Sequence, residues 1–280
     1  MIRSELAIYD LASGQAGTLL TTNRLIEAPN WMPDGDSLLV NCDGRLFLVP
    51  LAEPSLQPFD TSKHRALNND HGPSPDGKWI AFCDKTTTAQ SCIYLVPSSG
   101  GTPRRMTPQT PSWFHSWSPD SQHLLYAALR DGHFGIYTIP VTSGIERCTF
   151  TGPGHHDGPD MTPDGQWVWY NSDAGGAMHL WRIRPDGTDR QQMTQGASVN
   201  WFPHPSPSGR HVLYLAYPSG TKGHPRDLDV ELCLIPAEGG APRTLLALFG
   251  GQGSLNVPCW SPDGTRFAFV RYHPVGPSAP

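Results

Sequence analysis

Five of the twelve histidines in this chain (His71, His115, His155, His156, His204) fall in short polar segments just ahead of a recurring Pro-Asp-Gly-like turn. The segments read "NNDHGPSP", "SWFHSWSP", "GHHDGPDMTP" and "NWFPHPSP". Six residues before the proline of each turn stand Glu27, Asn69, Trp113, Asp157, Trp201 and Asn256, and Gln252 lies just upstream of Asn256 in "GGQGSLN". Imidazole, carboxylate and amide groups brought to one point could hold a divalent ion or orient a polyhydroxylated molecule. Tryptophan adds flat apolar faces on which a sugar ring can stack.

These types suggest roles. Glu27, His71, Asp157 and His204 are candidate ligands of a divalent metal, with His115 and His156 moving protons. Asn69, Trp113, Trp201, Gln252, Asn256 and His224 are candidate substrate contacts. An imidazole-containing set suits Mn²⁺ or Zn²⁺, whereas Glu27, Asn69, Asp157 and Asn256 together form an all-oxygen set that suits Ca²⁺. Each residue also has a structural alternative. Asn and Asp before a strand cap turns by accepting backbone N–H bonds, Trp113 and Trp201 can pack between sheets, and a single histidine is often just a buried, satisfied side chain. The case for a site rests on their joint placement.

What brings them together is a repeat. The turn recurs as "WMPDGDSLLV", "PSPDGKWIAF", "WSPDSQHLLY", "MTPDGQWVWY", "PSPSGRHVLY" and "WSPDGTRFAF", with prolines at Pro33, Pro75, Pro119, Pro163, Pro207 and Pro262, separated by 42, 44, 44, 44 and 55 residues. In each unit proline fixes φ, Asp supplies a side-chain acceptor and Gly the positive-φ position. An apolar strand follows, then a strand ending near proline ("RLFLVP", "CIYLVP", "GIYTIP"), then a Gly-rich turn and a last short strand. With the segment ahead of the turn, that makes four strands per unit, the pattern of a propeller blade. The sixth unit stops after its inner strands at "FAFVRYHP", and the chain begins with the two outer strands it lacks, "ELAIYDLASGQAGTLLT". The expected fold is an all-β, six-bladed propeller spanning residues 1–280 as one domain. It is closed by N-terminal outer strands pairing with C-terminal inner ones.

The W-S-P-D-G motif followed by a strand and an I-Y-x-x-x strand resembles the TolB-type propeller repeat, over essentially all of Glu5 to Tyr272. That resemblance implies the fold. The same repeat occurs in oligogalacturonate lyases, in which histidines and a glutamine hold a metal that acidifies a proton beside a uronate carboxylate. His71, His115, His204 and Gln252 are analogous in kind to that set. The repeat also occurs in the gating propellers of prolyl oligopeptidases. Two functions therefore stand open: a metal-assisted enzyme of lyase or lactonase type acting on a carbohydrate or uronate-like molecule, and a non-catalytic module that binds a ligand or a protein.

Composition narrows the partners. The net charge of −5 gives no basic footprint for nucleic acid, and no apolar run reaches the roughly 20 residues that span a bilayer. The opening "MIRSELAIYDLASG" lacks the apolar core of a signal peptide, so a cytoplasmic monomer is expected. The six cysteines form no C-x-x-C pair, and in a reducing compartment they are expected as small buried hydrophobes. No G-x-S-x-G, H-E-x-x-H or P-loop is present. The fifth interval is long because of "YPSGTKGHPRDLDVE", an insertion that could form a lid carrying Lys222, His224 and Arg226.

Overall fold

The computed structural model describes residues 2–142 and 144–274. These residues form no helix, and their strands assemble into six antiparallel sheets arranged as blades. Blade 1 runs from its inner strand Ile26–Trp31 outward through Ser37–Cys42, Arg45–Pro50 and Gln57–Pro58. Blades 2 to 5 repeat that order, with inner strands Leu67–Pro73, Ser112–Trp117, His156–Met161 and Val199–Pro205.

Blade 6 closes the ring. Ile2–Asp10 lies antiparallel to Arg266–Pro274 in unbroken register from Ile2 opposite Pro274 to Asp10 opposite Arg266, and Gln15–Thr22 pairs outside it. The innermost position of this blade is reduced to a bridge between Trp260 and Phe267. The two ends of the chain thus cover each other's open strand edges, as the incomplete terminal repeats foretell.

The turns show why the motif repeats. Ser74 donates its hydroxyl to Asp76 Oδ1 (2.6 Å), which also accepts the Lys78 N–H, while Ser74 Oγ accepts the Trp79 N–H. Ser118–Asp120, Thr162–Asp164 and Ser261–Asp263 repeat the arrangement. Gly77 supplies the left-handed residue at φ 71°, and in blade 3 Ser121 takes that conformation at φ 62°. Apolar clusters fill the spaces between neighbouring blades, as where Ala81, Cys83 and Leu95 of blade 2 meet Phe114, Leu124 and Tyr137 of blade 3. The indole N–H groups of Trp117 and Trp260 reach back to the carbonyls of Gly72 and His204 in the preceding blades. All six cysteines are free thiols; five are buried as expected, but Cys148 is exposed.

One irregularity shapes the channel. The register between the inner strand and its neighbour slips in blades 1 to 5, at Glu27/Asn30, Leu67/His71, Phe114/Ser116, Asp157/Asp160 and Trp201/His204. Ala28, Gly158 and Phe202 take positive φ within these bulges. A bulge leaves residues outside the ladder and re-aims their side chains. Asn68, Asn69, Asp70, His115 and Phe202 are turned toward the channel in this way.

Candidate functional site

A cavity of about 250 Å³ occupies the channel mouth at which the chain enters the inner strands. Asn68, Asn69 and Asp70 line it from blade 2, and all three fall in the register slip of that blade. His115, the residue skipped between Phe114 and Ser116 in blade 3, lines it for the same reason. Phe202 does so from the bulge in blade 5. Trp113, Phe134, His155, Asp157, His224, Gln252, Asn256 and the exposed Lys85 complete the wall.

Its centre is a charge pair. His115 Nε2 lies 2.8 Å from Asp157 Oδ1, with side-chain exposures of 4% and 13%, and His155 Nε2 stands 3.6 Å from the other carboxylate oxygen. The His115 N–H is poorly aligned for a hydrogen bond, so charge attraction dominates the contact. Burial opposes ionisation at both groups, but each outweighs it for the other. Asp157 is held well below the ordinary carboxylate value and His115 is raised above the ordinary imidazole value. His155 is likewise raised, against its burial, by Asp157. Asp70 behaves oppositely: burial, with the nearby Asp157 charge, pushes it up to about 6 despite His115. Two carboxyl groups in one cavity are thus driven apart in acidity.

The wall has two chemical halves. Trp113 stacks on Phe134 (ring centroids 5.9 Å apart) and Phe134 on His155 (4.1 Å), while His224 packs edge-on against Phe202 (5.2 Å). This aromatic arc belongs to blades 3 to 5. Facing it from blades 2 and 6 are the amides and carboxyl of Asn68, Asn69, Asp70, Gln252 and Asn256. Asn256 serves structure as well, because its Oδ1 accepts the Gly253 N–H. The insertion folds over this same mouth. His224 is half-buried there with its pKa lowered by desolvation, whereas Arg226 turns away, contacting Asp227 and the Tyr272 ring.

Of the expected site residues, Asn69, Trp113, His115, Asp157, His224, Gln252 and Asn256 line the cavity, and five do not. His71 occupies the same repeat position as His115 but pairs in register with Phe82, is fully buried, and has both ring nitrogens without a partner. Burial takes its pKa down to about 3. His204 pairs in register with Leu213, and its Nδ1 lies 3.0 Å from Asp160 Oδ2. His156 sits inside blade 4, with Nδ1 2.9 Å from Ser172 Oγ and its pKa lowered by burial to about 4. Its assignment as a proton carrier at the cavity is corrected accordingly. Trp201 lies 1% exposed in the core between blades 5 and 6 and faces a neighbouring cavity. Glu27 stands apart near Arg226 and Gly253, and burial pushes its pKa up to about 7.

The expected metal set therefore does not converge. Glu27, His71, Asp157 and His204 face different surroundings, and among the described residues no three His, Cys, Asp or Glu side chains are placed to share an ion. These residues do not fit a resident Mn²⁺, Zn²⁺ or Ca²⁺. Sequence reasoning passed over Asp70, Asn68, Lys85, Phe134 and Phe202 as site residues. Asp70 had a visible signal, lying between Asn69 and His71 in the polar prefix, but alternation along a regular strand would turn it away.

The opposite mouth differs in kind. A basin of about 380 Å³ there is ringed by the six turn prolines with Trp31, Trp117 and Trp260, and Asp160 is its one ionisable residue. Polar chemistry is concentrated at the mouth of His115.

Fold and pocket together define a six-bladed propeller with a polar, aromatic-walled cavity at one end of its channel. The chain belongs to the TolB-type β-propeller family. A solved structure from Agrobacterium tumefaciens, assigned provisionally to TolB, is 47% identical, with a TM-score of 0.96 over 98% of this chain and 100% of that one. An uncharacterized protein of Agrobacterium fabrum is 47% identical over 275 residues, 98% of this chain and 94% of its own length. TolB from Acinetobacter baumannii is 18% identical with a TM-score of 0.70, over 89% of this chain and 64% of that one. An oligogalacturonate lyase in complex with manganese is 15% identical with a TM-score of 0.57, over 86% and 72%. The last two likenesses are of fold alone. No family model matches the chain.

Proposed function

We propose that this propeller binds a small polyhydroxylated molecule, a sugar ring, at the mouth where His115 meets Asp157, and that the site moves a proton on the bound ligand. The observation that carries this reading is the division of one cavity into an aromatic arc and an amide-and-carboxyl arc. A sugar ring offers an apolar face to the first and hydroxyl groups to the second. The roughly 250 Å³ available suits one ring.

His115, whose proton the neighbouring Asp157 carboxylate holds more firmly than in an ordinary imidazole, donates to a ligand oxygen on which negative charge develops. Asp70, with its pKa of about 6, exchanges a proton near neutral pH. Lys85 at the rim favours an anionic group such as a sugar carboxylate. Oligogalacturonate lyase supplies a precedent for saccharide chemistry on this fold, although no step here runs through a metal.

The second reading is capture without chemistry by a TolB-like binding or interaction module. Its precedent is the 47% identical chain assigned provisionally to TolB. Calorimetric titration with galactose, glucose and galacturonate, followed by NMR of prolonged mixtures, separates the two. Binding that Trp113→Ala weakens at least tenfold, with turnover lost in Asp70→Asn, supports the first reading. Binding with no turnover leaves capture, and no saccharide binding at all ends the sugar-site proposal.

A further inference from the structure

The basin at the opposite mouth, about 380 Å³, shares no lining residue with the cavity of His115. The repeat itself builds it, because one turn in every blade brings a proline to the same rim. Pro75, Pro119, Pro163, Pro207 and Pro262 are exposed there and Pro33 is half-buried. Trp31, Trp117 and Trp260 lie deeper and are buried, with their indole N–H groups bonded to the carbonyls of Gly35, Gly72 and His204. They leave no donor for a ligand. The accessible wall is therefore apolar and comes mainly from proline rings, around a volume that suits a small organic molecule.

The charge around this apolar wall has one sign. Asp160 lines the basin, and its Oδ2 is fixed 3.0 Å from His204 Nδ1. The turns add Asp34, Asp76, Asp120, Asp164 and Asp263, all exposed and each directly after its proline. Hydroxyl groups of Ser74, Ser118, Thr162 and Ser261 donate to the last four and hold them below the ordinary carboxylate value. Those four therefore stay ionised at neutral pH. Lys78 answers Asp76 at 3.0 Å, and His123, Arg184 and Arg266 act on Asp120, Asp164 and Asp263. None of these four basic groups lines the basin. Carboxylates set around low-dielectric walls focus a negative field into the space between them.

We propose that this mouth binds a small organic cation, an amine or quaternary ammonium on an apolar body. The body lies against the proline rings and the cationic end points toward Asp160. A neutral molecule of the same shape fits the walls but gains nothing from the carboxylates. An anion of that shape is repelled by them. The site is independent of the sugar-site reading, at the other end of the channel and built from other residues.

The test titrates the full, nitrogen-15-labelled chain with benzylamine, benzyl alcohol and benzoate, three probes that share a ring and differ in charge. Binding is read from the indole N–H signals, assigned by single Trp→Phe variants. Benzylamine is expected to bind about tenfold more tightly than benzyl alcohol, a difference of about 1.4 kcal/mol, and benzoate not to bind. The signals of Trp31, Trp117 and Trp260 should move on saturation, while that of Trp113, at the other mouth, stays in place. Asp160→Asn is expected to bring benzylamine within about threefold of the alcohol. Equal affinities for amine and alcohol in the wild type overturn the proposal. So does the absence of any shift at those three signals with benzylamine at millimolar concentration, or a charge preference undiminished in folded Asp160→Asn. If that variant does not fold, the wild-type comparison decides alone.

Discussion

His115 and Asp157 meet at 2.8 Å across the seam between blades 3 and 4, although 42 residues separate them in the chain. Removing one member of a buried charge pair leaves the other uncompensated, at a typical cost of about 3–5 kcal/mol. Asp157→Ala is therefore expected to destabilise the propeller by about 3 kcal/mol in urea melts. His115→Ala is expected to cost less, because His155 still faces the carboxylate. The double variant should cost less than the sum of the two. Additive losses would show that the pair contributes no coupling.

The same pair sets a pH window. His115 is raised in the folded state, so its share of stability is complete below the ordinary histidine value and is lost as pH rises through the raised one. Asp157 is depressed, so its share is present above the ordinary carboxylate value and lost as pH falls through the lowered one. Melting midpoints of wild type and Asp157→Asn should therefore differ most between about pH 4 and 6.5. They should converge toward alkaline pH. A constant difference up to pH 10 would contradict the assignment.

Glu27 works in the opposite direction. Its folded pKa of about 7 exceeds its ordinary 4.5 because of burial, so between those values the folded state holds a proton that the unfolded state has released. Stability falls as pH rises through that interval, by at most about 3 kcal/mol. Glu27→Gln is expected to flatten this part of the profile and to be the more stable protein at pH 8. Parallel profiles for the two proteins would place the ionisation of Glu27 outside this range.

Closure is testable by truncation. Deleting residues 1–22 removes both outer strands of blade 6 and exposes the edge of Arg266–Pro274 along its whole paired length. The remaining chain is expected to lose its cooperative thermal transition. A truncated protein whose midpoint stays within a degree or two of the full chain would show that the ring does not depend on this pairing.

Ser121 offers a smaller, sharper case. It sits at φ 62° where the other five turns use glycine at the same position, yet its hydroxyl accepts the Asp76 N–H from the neighbouring blade at 3.0 Å. Relief of backbone strain and loss of that bond are each worth roughly 1 kcal/mol. Ser121→Gly should therefore change stability by less than about 0.5 kcal/mol. Ser121→Ala keeps the strain and loses the bond, and should cost about 1 kcal/mol. Equal effects from both would remove the inter-blade bond from the account.

The sequence by itself determined the period, the turn chemistry, the blade count and the closure. Each of these follows from local rules applied six times over: proline and glycine fix the turn, Ser or Thr and Asp satisfy its backbone groups, and apolar strands need neighbours. It also located the mouth, since the segments ahead of the turns must converge wherever the blades form a ring. Only the tertiary structure decided which side chain at that mouth faces the channel. His71 and His115 occupy one repeat position, yet His71 lies in register opposite Phe82 while His115 falls in the slip between Phe114 and Ser116. A bulge shifts alternation by a residue and so exchanges the two faces of a strand. Where it falls depends on how each inner strand seats against its neighbours, a non-local balance that a strand's own residues do not fix. For the same reason Asp70 became a site residue, and His204, in register with Leu213, turned to Asp160.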